Sequence, residues 1–112
     1  MNRDTKQREA IRKAFNNAGD RLLSVKEVWE TAEKSIPKIG LATVYRNIKD
    51  MLATGNIKAT PLPGQPDRYS INEIATGSAI FIMKDGTVTV NNAAAYYDGV
   101  PNFKKTSYFI QQ

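Results

Sequence analysis

The sequence predicts an α+β chain: three helices and a β-hairpin over residues 1–72, followed by a small β-rich region over 73–112. Two patterns predict it. Up to Ala53 the apolar residues recur every three or four positions, as in helices packed on one side; from Ile57 onward they alternate or run together between turn residues, as in strands. A third observation, the placing of Gly19, Ser24, Pro37 and Gly55, cuts the helical part into three.

Residues 4–18 form the first predicted helix, with Ala10, Ile11, Ala14, Phe15 and Ala18 on its apolar face and Gly19 to end it; Lys6, Arg12 and Lys13 lie on its other side. Ser24 followed three residues later by Glu27 is a capping box, and Val25, Val28, Trp29 and Ala32 continue into a second helix to about Lys34. Pro37 opens the turn. The third helix runs from Leu41 to Ala53 and ends in Thr54-Gly55-Asn56. At about 100° per residue, Leu41, Val44, Ile48, Met51 and Leu52 share its core face. Ala42, Thr43, Arg46, Lys49 and Asp50 share the outer one, with Tyr45 on the shoulder.

Ile57 to Leu62 and Arg68 to Ile71 read as strands around Pro63-Gly64-Gln65-Pro66-Asp67, whose prolines and glycine suit a protruding loop. Helix, helix, helix and hairpin, in that order, make a winged helix. Ala79 to Lys84 and Thr87 to Asn91 flank Asp85-Gly86, the strongest short hairpin signal in the chain. Asn92 to Tyr97 reads as one helical turn or a loop, and Thr106 to Ile110 as a last strand. The tail is too short for a core of its own, so it is expected to pack on the first part or to pair with a second copy. Ile80, Phe81, Ile82, Tyr108 and Phe109 are its candidate dimerisation residues.

Composition narrows the function. The 112 residues contain no cysteine and no histidine, which removes disulfides, thiolate nucleophiles, the ordinary triad base, and thiolate or imidazole metal ligands. No paired-carboxylate spacing or phosphate-cradling glycine loop is present, so an enzyme is not expected. Glu73, Asp85 and Asp98 are scattered, whereas a hard-ion cage needs several converging oxygens; no metal site and no cofactor are expected. There is no apolar run near about 18 residues and no signal-peptide pattern, which points to a cytoplasmic protein without membrane contact.

The net charge of +5 lies wholly in the first part. Residues 1–70 hold 13 Lys or Arg against 8 Asp or Glu, and residues 71–112 hold three of each. A basic segment joined to a neutral one suggests a polyanionic partner, double-stranded DNA first. In that setting the third helix enters the major groove, bringing Ala42, Thr43, Tyr45, Arg46 and Lys49 to it. The hairpin straddles a neighbouring phosphate strand with Lys58, Gln65 and Arg68. The bland alternatives are an ordinary amphipathic surface helix and a solvated hairpin.

Thr5-Lys6-Gln7-Arg8-Glu9-Ala10-Ile11, Ser24-Val25-Lys26-Glu27-Val28, Leu41-Ala42-Thr43-Val44-Tyr45-Arg46, Gly55 and Arg68-Tyr69 occur in the order found in the Fur family of bacterial metal-responsive transcription regulators, which this chain resembles over about 70 residues. The resemblance implies a homodimeric winged-helix repressor or activator on a palindromic operator. It further implies base contacts by Tyr45, through thymine methyl groups, a phosphate or guanine contact by Arg46, and a backbone contact by Arg8. Ser78 to Val88 looks like the family's dimerisation hairpin, but the histidines and the C-x-x-C pair that would supply metal ligands are missing. Met83 stands about where a cysteine would be and reads as packing. A sequence-specific regulator without metal dependence is therefore expected. The rival is a winged-helix protein-interaction module with weak, non-specific DNA binding.

Overall fold

The computed structural model describes residues 2–71, 78–92 and 103–109. Three helices come first: α1 (Arg3–Ala18), α2 (Val25–Ser35) and α3 (Leu41–Ala53). Each begins or ends where its own side chains dictate. The Asn2 side chain caps α1 by accepting from the Thr5 amide at 2.8 Å, and Gly19 ends it at a φ of 60°. At α2 the Glu27 amide donates to Ser24 Oγ at 3.1 Å, and the Ser24 amide donates to the Glu27 carboxylate at 3.0 Å. The predicted capping box is thus closed on both sides. After α3, the Asn56 amide reaches back to the Met51 carbonyl at 2.8 Å and the Gly55 amide to Leu52 at 3.1 Å, a Schellman stop with Gly55 at a φ of 80°.

The helices share one core. Ile11, Ala14 and Phe15 of α1, Val28 and Ala32 of α2, and Val44, Ile48 and Met51 of α3 are buried together, closed from below by Leu23, Ile39 and Ile57. The Trp29 indole donates to the Ile39 carbonyl at 2.8 Å, tying α2 to the turn before α3. Two residues depart from the predicted faces. Leu41, assigned to the core face, is 48% exposed. It stands one turn ahead of Val44, the first buried position of α3, at the free end of the helix. Asn47 is buried instead, its amide donating to the Thr43 carbonyl at 2.9 Å.

The wing is an antiparallel hairpin of β2 (Lys58–Leu62) and β3 (Gln65–Ser70), in register from Lys58↔Ser70 to Thr60↔Arg68, with a shift before Leu62↔Gln65. β3 begins three residues earlier than the sequence predicts. Pro63 followed by Gly64 at a φ of 70° suits a type II turn, so the chain reverses there without a five-residue loop. Pro66 is tolerated on this exposed two-stranded ribbon because, among the described residues, no third strand pairs there.

A second, four-stranded antiparallel sheet has the order β1-β5-β4-β6, from β1 (Arg21–Leu22), β4 (Ser78–Met83), β5 (Val88–Asn92) and β6 (Phe103–Phe109). β1 is absent from the sequence reading; two residues give no periodicity. It pairs Arg21 with Thr89 and Leu22 with Val88, while the next residue, Leu23, exchanges two 2.9 Å backbone hydrogen bonds with Tyr69 of the wing. The 20–23 segment thus joins the wing on one side and β5 on the other. Leu22, Leu62, Ile80, Ile82 and Val88 form a separate apolar cluster across this junction, so the tail packs on the first part of the chain. The predicted turn at Asp85-Gly86 is present, with Gly86 at a φ of 94°. β6 begins at Phe103, earlier than the expected Thr106, and Tyr108 and Phe109 take register positions opposite Ile80 and Ala79. The turn or loop expected from Asn92 to Tyr97 lies, beyond Asn92, outside the described residues, as do Ile110, Glu73 and Asp98.

Candidate nucleic-acid interface

Because Val44, Asn47, Ile48 and Met51 face inward, the opposite side of α3 is left to solvent, and Leu41, Ala42, Tyr45, Arg46 and Lys49 are all exposed there. Thr43 is half-buried. Tyr45 is 53% exposed, so its ring is not part of the core. Beside it, Tyr69 on β3 is half-buried; burial first, then the nearby Asp67 and Tyr45, pushes its hydroxyl above the ordinary value, so it stays protonated and neutral.

An open groove separates the start of α1 from α3, lined by Thr5, Arg8, Arg12, Arg46, Asn47 and Asp50 among others. Arg8 spans it. Its Nε donates to Asn47 Oδ1 at 3.2 Å and its Nη2 to Asp50 Oδ2 at 3.3 Å. Since Arg8 and Asp50 are each about half exposed, the ion pair adds little stability by itself. Its effect is geometric: it fixes α1 against α3 and holds a guanidinium at the rim. Asp50, grouped with the outer face by the sequence, is turned to this cation.

The wing divides its predicted contacts. Lys58 and Gln65 are exposed. Arg68 points the other way: its Nη1 donates to the Leu22 carbonyl at 3.1 Å and to the Glu27 carboxylate, and its side chain is only 15% exposed. Glu27 therefore serves two partners, the Ser24 amide of the capping box and Arg68 of the wing. Sequence reading found Ser24, Glu27 and Arg68 but not this link, because residues 41 positions apart carry no mutual signal. Among the described residues, Arg46, Lys49 and Lys58 make no ion pair. Three uncommitted cations thus lie on the helix and wing that flank Tyr45.

The candidate dimerisation residues are differently placed. Ile80, Phe81 and Ile82 are buried within a single copy, Ile80 and Ile82 against Leu22, Leu62 and Val88. Tyr108 and Phe109 lie on β6, at one edge of the sheet, and β6 has no strand on its outer side among the described residues.

Residues 2–94 match the model of the Ferric uptake regulator family, and the chain belongs to that family. It is a Fur-like transcription regulator of bacterial type, and the family's members are regulators, not enzymes. Among solved structures, the fold is similar to the Vibrio cholerae ferric uptake regulator at 19% identity and a TM-score of 0.64, covering 86% of this chain and 82% of that one. It is similar to the Francisella tularensis ferric uptake regulator with iron at 23% identity and a TM-score of 0.62, covering 81% and 69%. For the Campylobacter jejuni peroxide stress regulator the identity is 24% and the TM-score 0.60, covering 84% and 70%. At such identities the likeness establishes the fold alone. No curated protein sequence matches the chain.

The family's name and the Francisella structure raise the question of metal. This chain offers no imidazole and no thiolate, and among the described residues no three carboxylates converge on a point that could hold an ion. A donor set of this kind does not fit an iron or zinc centre. No helix among the described residues is long and apolar enough to cross a membrane.

Proposed function

We propose that this chain is a sequence-specific regulator that binds double-stranded DNA as a homodimer, on a palindromic operator, without metal dependence. The observation that carries the reading is the exposed row Ala42, Tyr45, Arg46 and Lys49 on α3, with its cations unpaired and the chain's whole net charge in the same half. Such a row supplies phosphate contacts that position the helix and side chains that reach base edges. Thr43 on α3 and Arg8 on α1 complete the contact. Lys58 and Gln65 on the wing take the adjacent backbone. Arg68 serves as a strut that holds the wing to α2 and not as a direct contact, since its Nη1 is engaged inward and its side chain is mostly buried.

The division of labour falls near residue 72: residues 1–72 read DNA and 73–112 hold two copies together. Dimerisation is assigned to the open edge of β6 with Tyr108 and Phe109, an edge strand being a template for a second chain. Ile80, Phe81 and Ile82 act from behind by fixing the hairpin. A two-fold contact of this kind sets two recognition helices about 34 to 36 Å apart, on successive turns of one duplex face. The place of action is then the bacterial cytoplasm.

Selection of duplexes from a random pool, with and without EDTA, tests the proposal. An inverted repeat enriched equally in both arms is the expected result. Weak binding without sequence enrichment, unchanged by Arg46→Ala, would favour the protein-interaction reading instead.

A further inference from the structure

Leu41 is the least expected exposed residue of the molecule. Among the described residues, it and Tyr45 are the two large apolar side chains left in solvent, and they are four positions apart on α3, hence on the same flank of the helix. Tyr45 has a polar end that tolerates water; Leu41 has none. Its place is also specific. It is the first residue of α3, after the uncapped Gly40, and the N-terminal residues of a recognition helix are those that reach base edges. Arg46 and Lys49 stand on the exposed side of the same helix without ion-pair partners among the described residues, so the apolar pair is flanked by the charges that a nucleic acid backbone requires.

We infer that Leu41 is a specificity-determining residue that reads a thymine C5-methyl group in the major groove, alongside Tyr45. This rests on the DNA-binding reading and refines it. The C5-methyl is the apolar feature that the major-groove edge of a base pair presents, and an aliphatic side chain discriminates through it. Four residues of helix rise about 6 Å, and bases in one strand about 3.4 Å, so the two methyl groups read by Leu41 and Tyr45 lie one to two base steps apart. The same geometry leaves Ala42, between them, as the small residue that lets the backbone approach.

The test replaces single thymines by deoxyuridine, which removes the methyl group and nothing else, in the duplex selected by the full-length protein. For the wild type, one position per half-site assigned to Leu41 should weaken binding about three- to five-fold when demethylated, the scale of one methyl group withdrawn from an apolar contact. Leu41→Ala, which removes the contact from both half-sites of a dimer, should weaken binding to the thymine duplex by about the square of that factor, roughly ten- to twenty-five-fold, and be indifferent to deoxyuridine at that position, while Tyr45→Ala keeps the sensitivity there. Leu41→Met should restore it. Because Leu41 is exposed, the thermal midpoint should not move, so loss of fold does not confound the result.

If Leu41→Ala responds to every deoxyuridine as the wild type does, the assignment is overturned while DNA reading stands. If the wild type enriches no sequence, DNA reading fails and the Leu41 assignment with it. If Leu41→Ala instead changes the sedimentation behaviour and leaves DNA affinity intact, the apolar pair is a contact between copies, which also overturns the assignment.

Discussion

The helical body and the four-stranded sheet differ in how far apart their stabilising partners lie along the chain. In the body, Asn2 caps Thr5, Ser24 and Glu27 close on each other, and Asn56 reaches back to Met51. In the sheet, β1 is held by Thr89 and Val88, more than sixty positions away, and by Arg68 of the wing at the Leu22 carbonyl, with no local partner among the described residues. The body can therefore form most of its helix ends before the chain has closed on itself, whereas β1 acquires its conformation only with β5 and the wing in place. The same contrast holds across the proposed interface, where α3 is locally specified and the wing's attitude depends on the long-range contact of Arg68 with Glu27.

Large-to-small substitutions set the two regions against each other most strongly. Phe15→Ala in the body should lower stability by about 3 to 5 kcal/mol, and Ile80→Ala in the sheet by about 2 to 5 kcal/mol. Because the 20–23 segment is bonded to both the wing and β5, both variants should shift one cooperative transition, followed by far-ultraviolet circular dichroism and tryptophan fluorescence from Trp29. An Ile80→Ala protein whose sheet signal melts early while Trp29 reports an unchanged body would show that the junction couples nothing.

The wing strut comes next. Arg68→Met removes the bond to the Leu22 carbonyl and strands the half-buried Glu27 carboxylate, for a loss of about 2 kcal/mol by urea denaturation. Adding Glu27→Gln should recover part of it, measured as a coupling in a double-mutant cycle. DNA affinity should fall with Arg68→Met while its salt dependence stays unchanged. Lys58→Ala should do the opposite. Stability is unaffected, but the slope of log K against log salt becomes shallower by about 1.8, since a dimer loses two phosphate contacts at about 0.9 each. If Arg68→Met flattens the slope as Lys58→Ala does, then Arg68 touches phosphate after all.

Within the body, Ser24→Ala should cost about 1 kcal/mol, the usual loss of an N-cap acceptor. Its wider consequence is at the Glu27 amide, which loses its acceptor and loosens the first turn, while the Glu27 carboxylate keeps both the residue-24 amide and Arg68. A Ser24→Ala protein that also shows weakened DNA binding would tie the cap to the wing.

These contrasts explain what could be read from the residues alone. The bounds of α3, the capping box and the Asp85-Gly86 turn follow from neighbours within about four positions, and the structure has them where the sequence predicts. β1 is invisible to such a reading, because its two residues have no period. Leu41 departs from its expected face for a related reason: helical spacing says which residues share a face but not where along that face the body ends. Arg68 looked like a contact because a cation on a wing strand is usually solvated; only the fold brings Glu27 to it. The absence of histidine and cysteine, by contrast, is fully readable in composition and needs no fold.

The smallest expected effect lies at the tip of the β4–β5 hairpin, where the sheet is locally specified. Asp85 accepts from the Thr87 amide at 3.0 Å and from the Thr87 hydroxyl at 2.7 Å, and these bonds to its charged form, the amide's foremost, hold its carboxyl below the ordinary value of 3.8. A depressed folded-state pKa means that the unfolded chain binds the proton more readily. The stabilisation is thus present above the unfolded value and is lost as pH falls through the lower folded one. Asp85→Asn keeps an acceptor for the turn but cannot titrate. Wild type should therefore be slightly more stable than the variant at neutral pH, and the difference should vanish on acidification, in paired thermal melts from pH 7 to about pH 2. Because Asp85 is fully exposed, added salt should shrink the difference. A gap that persists in acid would mean that the turn depends on the shape of the side chain and not on its charge, and the local signal would then lie in Gly86 alone.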